Sequence, residues 1–270
     1  MAQTPEIPFG TLSEYIDAIK ALSAEWGVPR GNVWYRGLED ERLGLVPGTV
    51  WRDIGLETED EMVAEFLVYY RSYYPREPAH ALELYALMRH YGLPSRLLDW
   101  SMSPLVSLFF ALERPGRENS RRVVWAIDHV ELNRLTLGRA VSIVPRGGAD
   151  AFTARWLPKM LRNDSDAEIP DHVFAFKHPM SNQRINAQKG CFTFHGRSPR
   201  GIDAVFGDAG SPRIAKLVLR GSERRQEVLD ELYDLGYKED DIYQDLSALT
   251  RRIMREHGCI VPPGPWQDRP

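Results

Sequence analysis

Residues 90–106 restrict the fold of the chain more than any other segment does. The Gly-Leu-Pro sequence at 92–94 predicts the end of a helix, because Gly is the preferred left-handed cap and Pro cannot continue a helix. Ser103 and Pro104 predict the start of the next helix, since Ser caps an unpaired backbone N–H and Pro suits the first helical position. Residues 96–100 are therefore expected to run extended between two helices, with their charged side chains held there.

The polar residues of this segment favour a functional site, although a structural role explains two of them equally well. Arg96 and Asp99 would form a buried ion pair joining a strand to a helix, because buried charges need partners whatever else they do. Alternatively, His90 and Asp99 form a general base and its orienting carboxylate, with Ser95 or Ser101 as nucleophile. The Gly-x-Ser-x-Gly turn typical of many serine hydrolases does not occur in the sequence, which disfavours this chemistry.

Four motifs together resemble the FRG domain family, which is named for a Phe/Tyr-Arg-Gly signature. They are Trp-Tyr-Arg-Gly at 34–37, the long motif at 90–106, Arg-Ile-Asn-Ala-Gln-Lys-Gly-Cys-Phe at 184–192, and Leu-Gly-Tyr followed by Ile-Tyr-Gln-Asp-Leu within 235–246. Their order and rough spacing agree with the family. The resemblance covers about residues 9–256 and implies that residues 1–270 form a single FRG-type domain.

A more remote similarity points to the arginine-serine-glutamate class of ADP-ribosyltransferases. In that class an arginine on an early strand binds the pyrophosphate of NAD, and a serine-bearing strand supports the nicotinamide pocket. The resemblance makes Arg36 the phosphate clamp and Ser101 the strand hydroxyl. The glutamate of the class has no counterpart in residues 184–188, where Gln188 orients a ribose hydroxyl but cannot act as a base. The catalytic set implied by the resemblance is Arg36, Ser101 and Gln188.

The same resemblance implies which residues contact the nucleotide. Arginine offers planar, bidentate bonding to phosphate oxygens, and aromatic rings stack on nicotinamide. Gly37 is expected to let the ligand approach the backbone closely. The implied binding residues are Tyr35, Arg36, Gly37, His90, Tyr91, Arg96, Asp99, Trp100, Ser101 and Arg184. NAD would be a substrate, and the acceptor of the ADP-ribosyl group, a protein or a nucleic acid, stays open.

Composition argues against several other classes. A net charge of −4 and a pI near 6.0 disfavour a protein that coats nucleic acid, which needs an excess of Lys and Arg. The two cysteines, Cys191 and Cys259, provide no disulfide framework and no closed zinc site, which is typical of a reducing compartment. Cys191 and His195 would lie about 13 Å apart along a strand, too far to share a metal ion. We therefore expect no metal, and with no signal peptide or membrane-spanning apolar stretch we expect a cytoplasmic protein with no membrane partner.

The pattern of elements predicts an α+β fold in which helices cluster around a mainly antiparallel sheet, at one side of it. The remote resemblance implies that this fold is ADP-ribosyltransferase-like. Helices are predicted at 11–26, from the Thr58-x-x-Glu61 capping box to about 74, at 79–90, 105–112, 222–235 with Ser222 as cap, and 239–256. Further strands are predicted at 32–37, 122–127, 140–144, 191–195 and 214–220. Residues 145–183 contain a helix-like stretch at 149–161, a Gly147-Gly148 turn and a long, partly mobile loop. The glycine-rich fingerprints of doubly wound and phosphate-loop nucleotide folds are missing.

Two classes of function stay open. The first is an NAD-binding, ADP-ribosyltransferase-like enzyme, for which the family association suggests a toxin or phage-defence role. The second is a non-catalytic module that recognises a nucleotide or the end of a nucleic acid through Arg36, Arg96 and Arg184. Only the enzyme would release nicotinamide from NAD.

Overall fold

The computed structural model describes residues 4–29, 31–114, 120–145, 151–162, 164, 166–177 and 183–259. The described strands are β1 Glu6–Phe9, β2 Val33–Leu38, β3 Leu97–Ser101, β4 Val123–Asp128, β5 Val173–Phe176, β6 Gly190–His195 and β7 Ile214–Leu219. The α-helices are α1 Leu12–Trp26, α2 Gly48–Trp51, α3 Leu56–Tyr73, α4 Ala81–His90, α5 Pro104–Leu112, α6 His129–Leu137, α7 Ala151–Ala154, α8 Gln183–Ala187, α9 Ile202–Asp208, α10 Arg225–Asp234, α11 Glu239–Tyr243 and α12 Leu246–Glu256. Short 3-10 turns lie at Glu41–Leu43, Lys159–Leu161 and Ser222–Arg224.

The described strands form one mixed sheet in the order β1-β7-β4-β2-β3-β6-β5. The edge strand β1 runs parallel to β7, and every other neighbouring pair is antiparallel. The prediction of an α+β fold with a mainly antiparallel sheet is therefore confirmed. The finer prediction of an ADP-ribosyltransferase-like fold stays a prediction.

Helices cover both faces of the sheet, which corrects the expectation that they lie at one side. Side chains of a strand alternate between the faces, and all six residues of β4 are buried, so each face needs its own cover. Residues of α6 and α9 complete the apolar core of one face. The other face has two cores: α1, α5 and α10 contribute to the one over β2, β4 and β7, and α3 and α4 to the one over β3, β5 and β6.

The sheet separates between β2 and β3, which sit in its middle. These strands are paired only where Tyr35 lies opposite Ser101, whereas β2 follows β4, and β3 follows β6, along their whole lengths. Beyond that pair, the side chain of Arg36 reaches across and donates to the carbonyl oxygen of Asp99 at 2.7 Å. The two cores of the second face lie on either side of this gap.

The local signals in residues 90–106, the central motif, predict the structure of this segment correctly. Gly92 follows α4 with a φ of +92°, and β3 runs extended after it. The Ser103 hydroxyl accepts from the Val106 N–H, and Pro104 is the first residue of α5. These signals act within a few residues, so they do not depend on what packs around them.

Three other helix predictions need correction. Helix α3 begins at Leu56, before the predicted capping box, and Glu59 in its first turn is buried and pairs with Arg96. Ser222 opens a 3-10 turn and does not cap α10. The helix predicted at 239–256 breaks at Gln244, which has a φ of +56°, and the Asp245 side chain then caps α12.

The strand predictions erred at weak or unusual sequences. Residues 140–144 form no strand and contribute only one isolated bridge, from Ile143 to Phe176. Strand β1 contains Pro8, which is tolerated at a sheet edge. Strand β5 lies inside the predicted loop at 145–183, and its four residues are all buried. Within the helix-like stretch 149–161, the structure has one α-helix, α7. Residues 146–150, which include the predicted Gly147-Gly148 turn, lie outside the described residues. The mobility of the loop stays a prediction.

The helices of the described residues are all too short or too polar to span a membrane.

Candidate functional site

A cleft with a volume of about 140 Å³ opens where β2 and β3 separate. Its walls come from the ends of these strands, from α5, from the turn after α8 and from the α11–α12 segment. The described residues that line it are Tyr35, Arg36, Gly37, Leu38, Glu39, Leu43, Arg89, Asp99, Trp100, Ser101, Ser107, Phe110, Glu113, Arg114, Arg184, Gln188, Tyr243 and Arg251. Elements distant in sequence therefore meet at the gap in the sheet.

Arginines outnumber carboxylates among the described residues of the cleft. The arginines are Arg36, Arg89, Arg114, Arg184 and Arg251, and the carboxylates are Glu39, Asp99 and Glu113. Arg89 donates through Nε and Nη2 to one oxygen of Asp99, at 3.1 and 2.8 Å. The Nε of Arg114 lies 3.7 Å from Glu39. The resulting excess of positive charge suits an anionic ligand.

Ser101 holds the turn that carries Gln188. Its hydroxyl donates to the Gln188 carbonyl oxygen at 2.6 Å and accepts from the Ser103 N–H at 2.9 Å. The hydroxyl thus serves a positioning role, tying the turn before β6 to the end of β3. The side-chain amide nitrogen of Gln188 is buried and has no hydrogen-bond partner in the described part of the chain.

Arg184 is the most unusual group of the cleft. Only 8% of the residue is exposed, and burial lowers the pKa of its guanidinium group. Within the described ranges, no carboxylate forms an ion pair with it. Its guanidinium carbon instead lies 4.8 Å from the centre of the Tyr243 ring, and that of Arg251 lies 5.4 Å from the same ring. The Tyr243 hydroxyl donates to Glu113 at 2.5 Å.

Arg96 does not line the cleft, and the predicted Arg96–Asp99 pair is wrong. Side chains three residues apart in an extended segment point to opposite sides. Arg96 is 2% exposed and its Nε donates to Glu59 at 2.7 Å, while Asp99 binds Arg89. Arg96 also donates to the carbonyl oxygens of Trp156 and His195, the latter at 3.1 Å. It is therefore a core residue, which corrects its assignment to nucleotide binding.

His90 and Tyr91 also lie outside the cleft. His90 is the last residue of α4, and its ring packs edge-on against Tyr91 with 5.0 Å between the centroids. Tyr91 lines a separate apolar groove between α3 and α4. The carboxylate of Asp99 binds Arg89, so the structure does not support the His90–Asp99 base considered from the sequence.

Gly37 lines the cleft and is required by packing within the protein. A Cβ atom at this position would lie 1.8 Å from the Ser107 carbonyl oxygen and 2.8 Å from the Ala111 nitrogen. The missing side chain therefore lets α5 approach β2, and the close approach of a ligand expected from the sequence stays a prediction. Trp100 borders the cleft but packs in the core, where its indole N–H donates to the Thr193 hydroxyl at 3.1 Å.

Sequence reasoning missed ten of the described residues that line the cleft, and Arg89, Glu113, Tyr243 and Arg251 are among them. Tyr243 lies in the fourth motif of the FRG resemblance, which was the one available signal. Arg251 lies outside the four motifs identified in the sequence. No group of three or more histidine, cysteine or acidic residues in the described ranges could hold a metal ion.

A family model described as FRG domain matches residues 31–120. This match supports the resemblance to the FRG family and contains Arg36, Arg89, Asp99 and Ser101. The other wall of the cleft, with Arg184 and Tyr243, lies beyond the matched region. No curated protein and no solved structure shows a significant match to the chain.

Proposed function

We propose that the cleft binds NAD through its phosphate groups and that the protein transfers the ADP-ribosyl group as an ADP-ribosyltransferase-like enzyme. The observation that supports this proposal is the excess of arginines at the gap between β2 and β3. Arginine binds phosphate oxygens through a planar fork of N–H groups, and the negative charge of phosphate balances the excess of arginines in the cleft. Arg36 is the clamp because its side chain already spans the gap.

The structure also offers an answer to the missing glutamate. Residues 184–188 contain no carboxylate, but Asp99 and Glu113 line the same cleft as Gln188. In the transfer, the bond between nicotinamide and ribose breaks, nicotinamide leaves with the electron pair, and the acceptor bonds to the ribose carbon. The acceptor's proton passes to one of these carboxylates while Gln188 orients a ribose hydroxyl.

The test is calorimetric titration of NAD together with an assay for released nicotinamide. We expect Arg36→Lys to weaken NAD binding at least tenfold, because Lys lacks the planar fork. Arg134→Lys is the matched control, since Arg134 is half-exposed on α6 and pairs with Glu131 away from the cleft. Equal affinity of wild type and Arg36→Lys, with both folded, would contradict the proposal.

A second candidate is a non-catalytic module that binds a nucleotide or the end of a nucleic acid. It is favoured by the partners that the cleft carboxylates already have: Arg89 binds Asp99, and Tyr243 binds Glu113. Both carboxylates therefore already accept hydrogen bonds from the protein. Saturable NAD binding without release of nicotinamide would support this candidate. A toxin or phage-defence role rests on family association and stays a prediction.

A further inference from the structure

We infer that Arg184, Tyr243 and Arg251 form a phosphate subsite of their own, built by α8 and the α11–α12 segment on the wall opposite Arg36. The subsite takes a pyrophosphate or a terminal phosphate group. The inference rests on the proposed function, because that function supplies the kind of ligand, a nucleotide with phosphate groups.

The burial of Arg184 is the first observation that carries this inference. Buried arginines are expected to pair with an anion, because an unpaired charge away from water is costly. Arg89 and Arg96 follow this rule, with Asp99 and Glu59 as partners. Arg184 is nearly as buried, yet no carboxylate of the described residues pairs with it, and it lines an open cleft. A bound anion would supply the missing partner.

The second observation is that a second guanidinium group, that of Arg251, also contacts the Tyr243 ring and lines the same cleft. Arg184 and Arg251 both lie over its ring, so their guanidinium carbons are at most about 10 Å apart, the sum of the two distances to the ring centre. Cation–π contacts of this kind hold the two groups in place without neutralising their charge. No ion pair neutralises Arg251 within the described ranges either, and its side chain is only partly exposed.

The ring itself is held firmly. The Tyr243 hydroxyl donates to Glu113 at the end of α5, and Gln244 in the left-handed conformation ends α11 directly after it. Two fixed guanidinium groups present more N–H donors than one carboxylate can accept. A phosphate or pyrophosphate has enough oxygens, and enough charge, to satisfy both.

The experiment measures the binding of inorganic pyrophosphate, inorganic phosphate and NAD by calorimetry to the full chain. The variants are Arg251→Ala, Arg184→Lys and Tyr243→Leu, with Arg252→Ala as the matched control. Arg252 is the neighbour of Arg251 on α12, but it pairs with Asp240 and Glu256 and does not line the cleft. Circular dichroism melts report folding, and Arg251→Ala is the variant least able to disturb it, because its side chain has no hydrogen bond to lose in the described structure.

We expect pyrophosphate to bind the wild type more tightly than phosphate does and to compete with NAD. Arg251→Ala and Arg184→Lys are expected to weaken pyrophosphate binding at least tenfold, and Arg252→Ala less than twofold. NAD binding that depends on Arg36 but is unchanged in Arg251→Ala and Arg184→Lys would overturn the subsite and leave the proposed function standing. Pyrophosphate binding that depends on Arg251, without NAD binding, would support the subsite and overturn the proposed function. Absence of binding by all three ligands would overturn both.

Discussion

Arg96 and Arg184 are both buried arginines near the middle of the sheet, but their surroundings differ in kind. Arg96 is enclosed by α3, β6 and the segment after α7, where Glu59 and two backbone carbonyls accept its N–H groups. Arg184 faces a cleft and lies over an aromatic ring, with no carboxylate partner in the described ranges. The difference teaches that two equally buried arginines can differ in their partners: one is enclosed by acceptors of the protein, and the other is the arginine that we propose binds a ligand.

The largest expected effect tests the structural side of this comparison. Arg96→Met would leave Glu59 as a buried charge without its cation and is expected to lower the free energy of unfolding by about 3–5 kcal/mol. Urea denaturation measures this loss. Adding Glu59→Gln should recover part of it, because no lone carboxylate then remains buried. A loss below about 1 kcal/mol for the single variant would show that the network does not hold the core together.

The next effect is a pH dependence of the free energy of unfolding, which we expect from the buried His195. Burial, with Arg36 and Arg96 nearby, lowers the pKa of His195 from 6.5 to about 3. Between these two pKa values the unfolded chain binds a proton at His195 that the folded protein does not bind. The free energy of unfolding is therefore unaffected by His195 well above pH 6.5 and falls as the pH falls toward 3, by about 2 kcal/mol at pH 5. His195→Gln should therefore flatten the pH dependence of unfolding between pH 6.5 and 4. An unchanged slope would assign the acid sensitivity to other groups.

A smaller effect is expected at the edge of the cleft. Asp99 is partly exposed, so Asp99→Asn should lower the free energy of unfolding by only about 1 kcal/mol although it weakens the bond to Arg89. The variant also removes a negative charge beside Arg36 and should tighten pyrophosphate binding. Thermal melts and titrations on one sample measure both effects. If Asp99 takes the acceptor's proton, Asp99→Asn should release nicotinamide more slowly while it binds pyrophosphate more tightly. A loss of about 3 kcal/mol or more in the free energy of unfolding would instead place Asp99 with the structural residues.

The smallest effect on stability is expected for Gln188, whose amide nitrogen lies at the cleft without a partner among the described residues. Gln188→Ala should change stability by no more than about 0.5 kcal/mol and abolish any transferase activity. Gln188→Glu restores a carboxylate at this position and should retain or raise the rate. Full activity of Gln188→Ala would remove its side chain from the reaction.

The central motif and the gap in the sheet show how far sequence reasoning reached. The end of α4, the extended β3 and the start of α5 followed from Gly92, Ser103 and Pro104, because caps and turns are decided by neighbouring residues. The FRG resemblance directed attention to Arg36, Ser101, Arg184 and Gln188, which all line one cleft. Their roles in catalysis stay predictions.

The errors share a different cause. The partner of Asp99 is Arg89 and the partner of Arg96 is Glu59, and sequence spacing favoured Arg96–Asp99 in both cases. The break in the C-terminal helix was not predicted either. It sets Tyr243 beside Arg184, and these two residues are nearly sixty positions apart in the chain, so their contact depends on the tertiary structure.

By itself the sequence determined the class of fold, the ends of the central helices and the set of polar motifs that resemble the FRG family. Only the tertiary structure decided which arginine is enclosed and which faces the cleft, why Gly37 is a glycine, and that α12 supplies part of the site. The physical reason is range. Capping and side-chain alternation act between neighbours along the chain, whereas ion pairing, burial and close packing depend on which distant segments the sheet brings together.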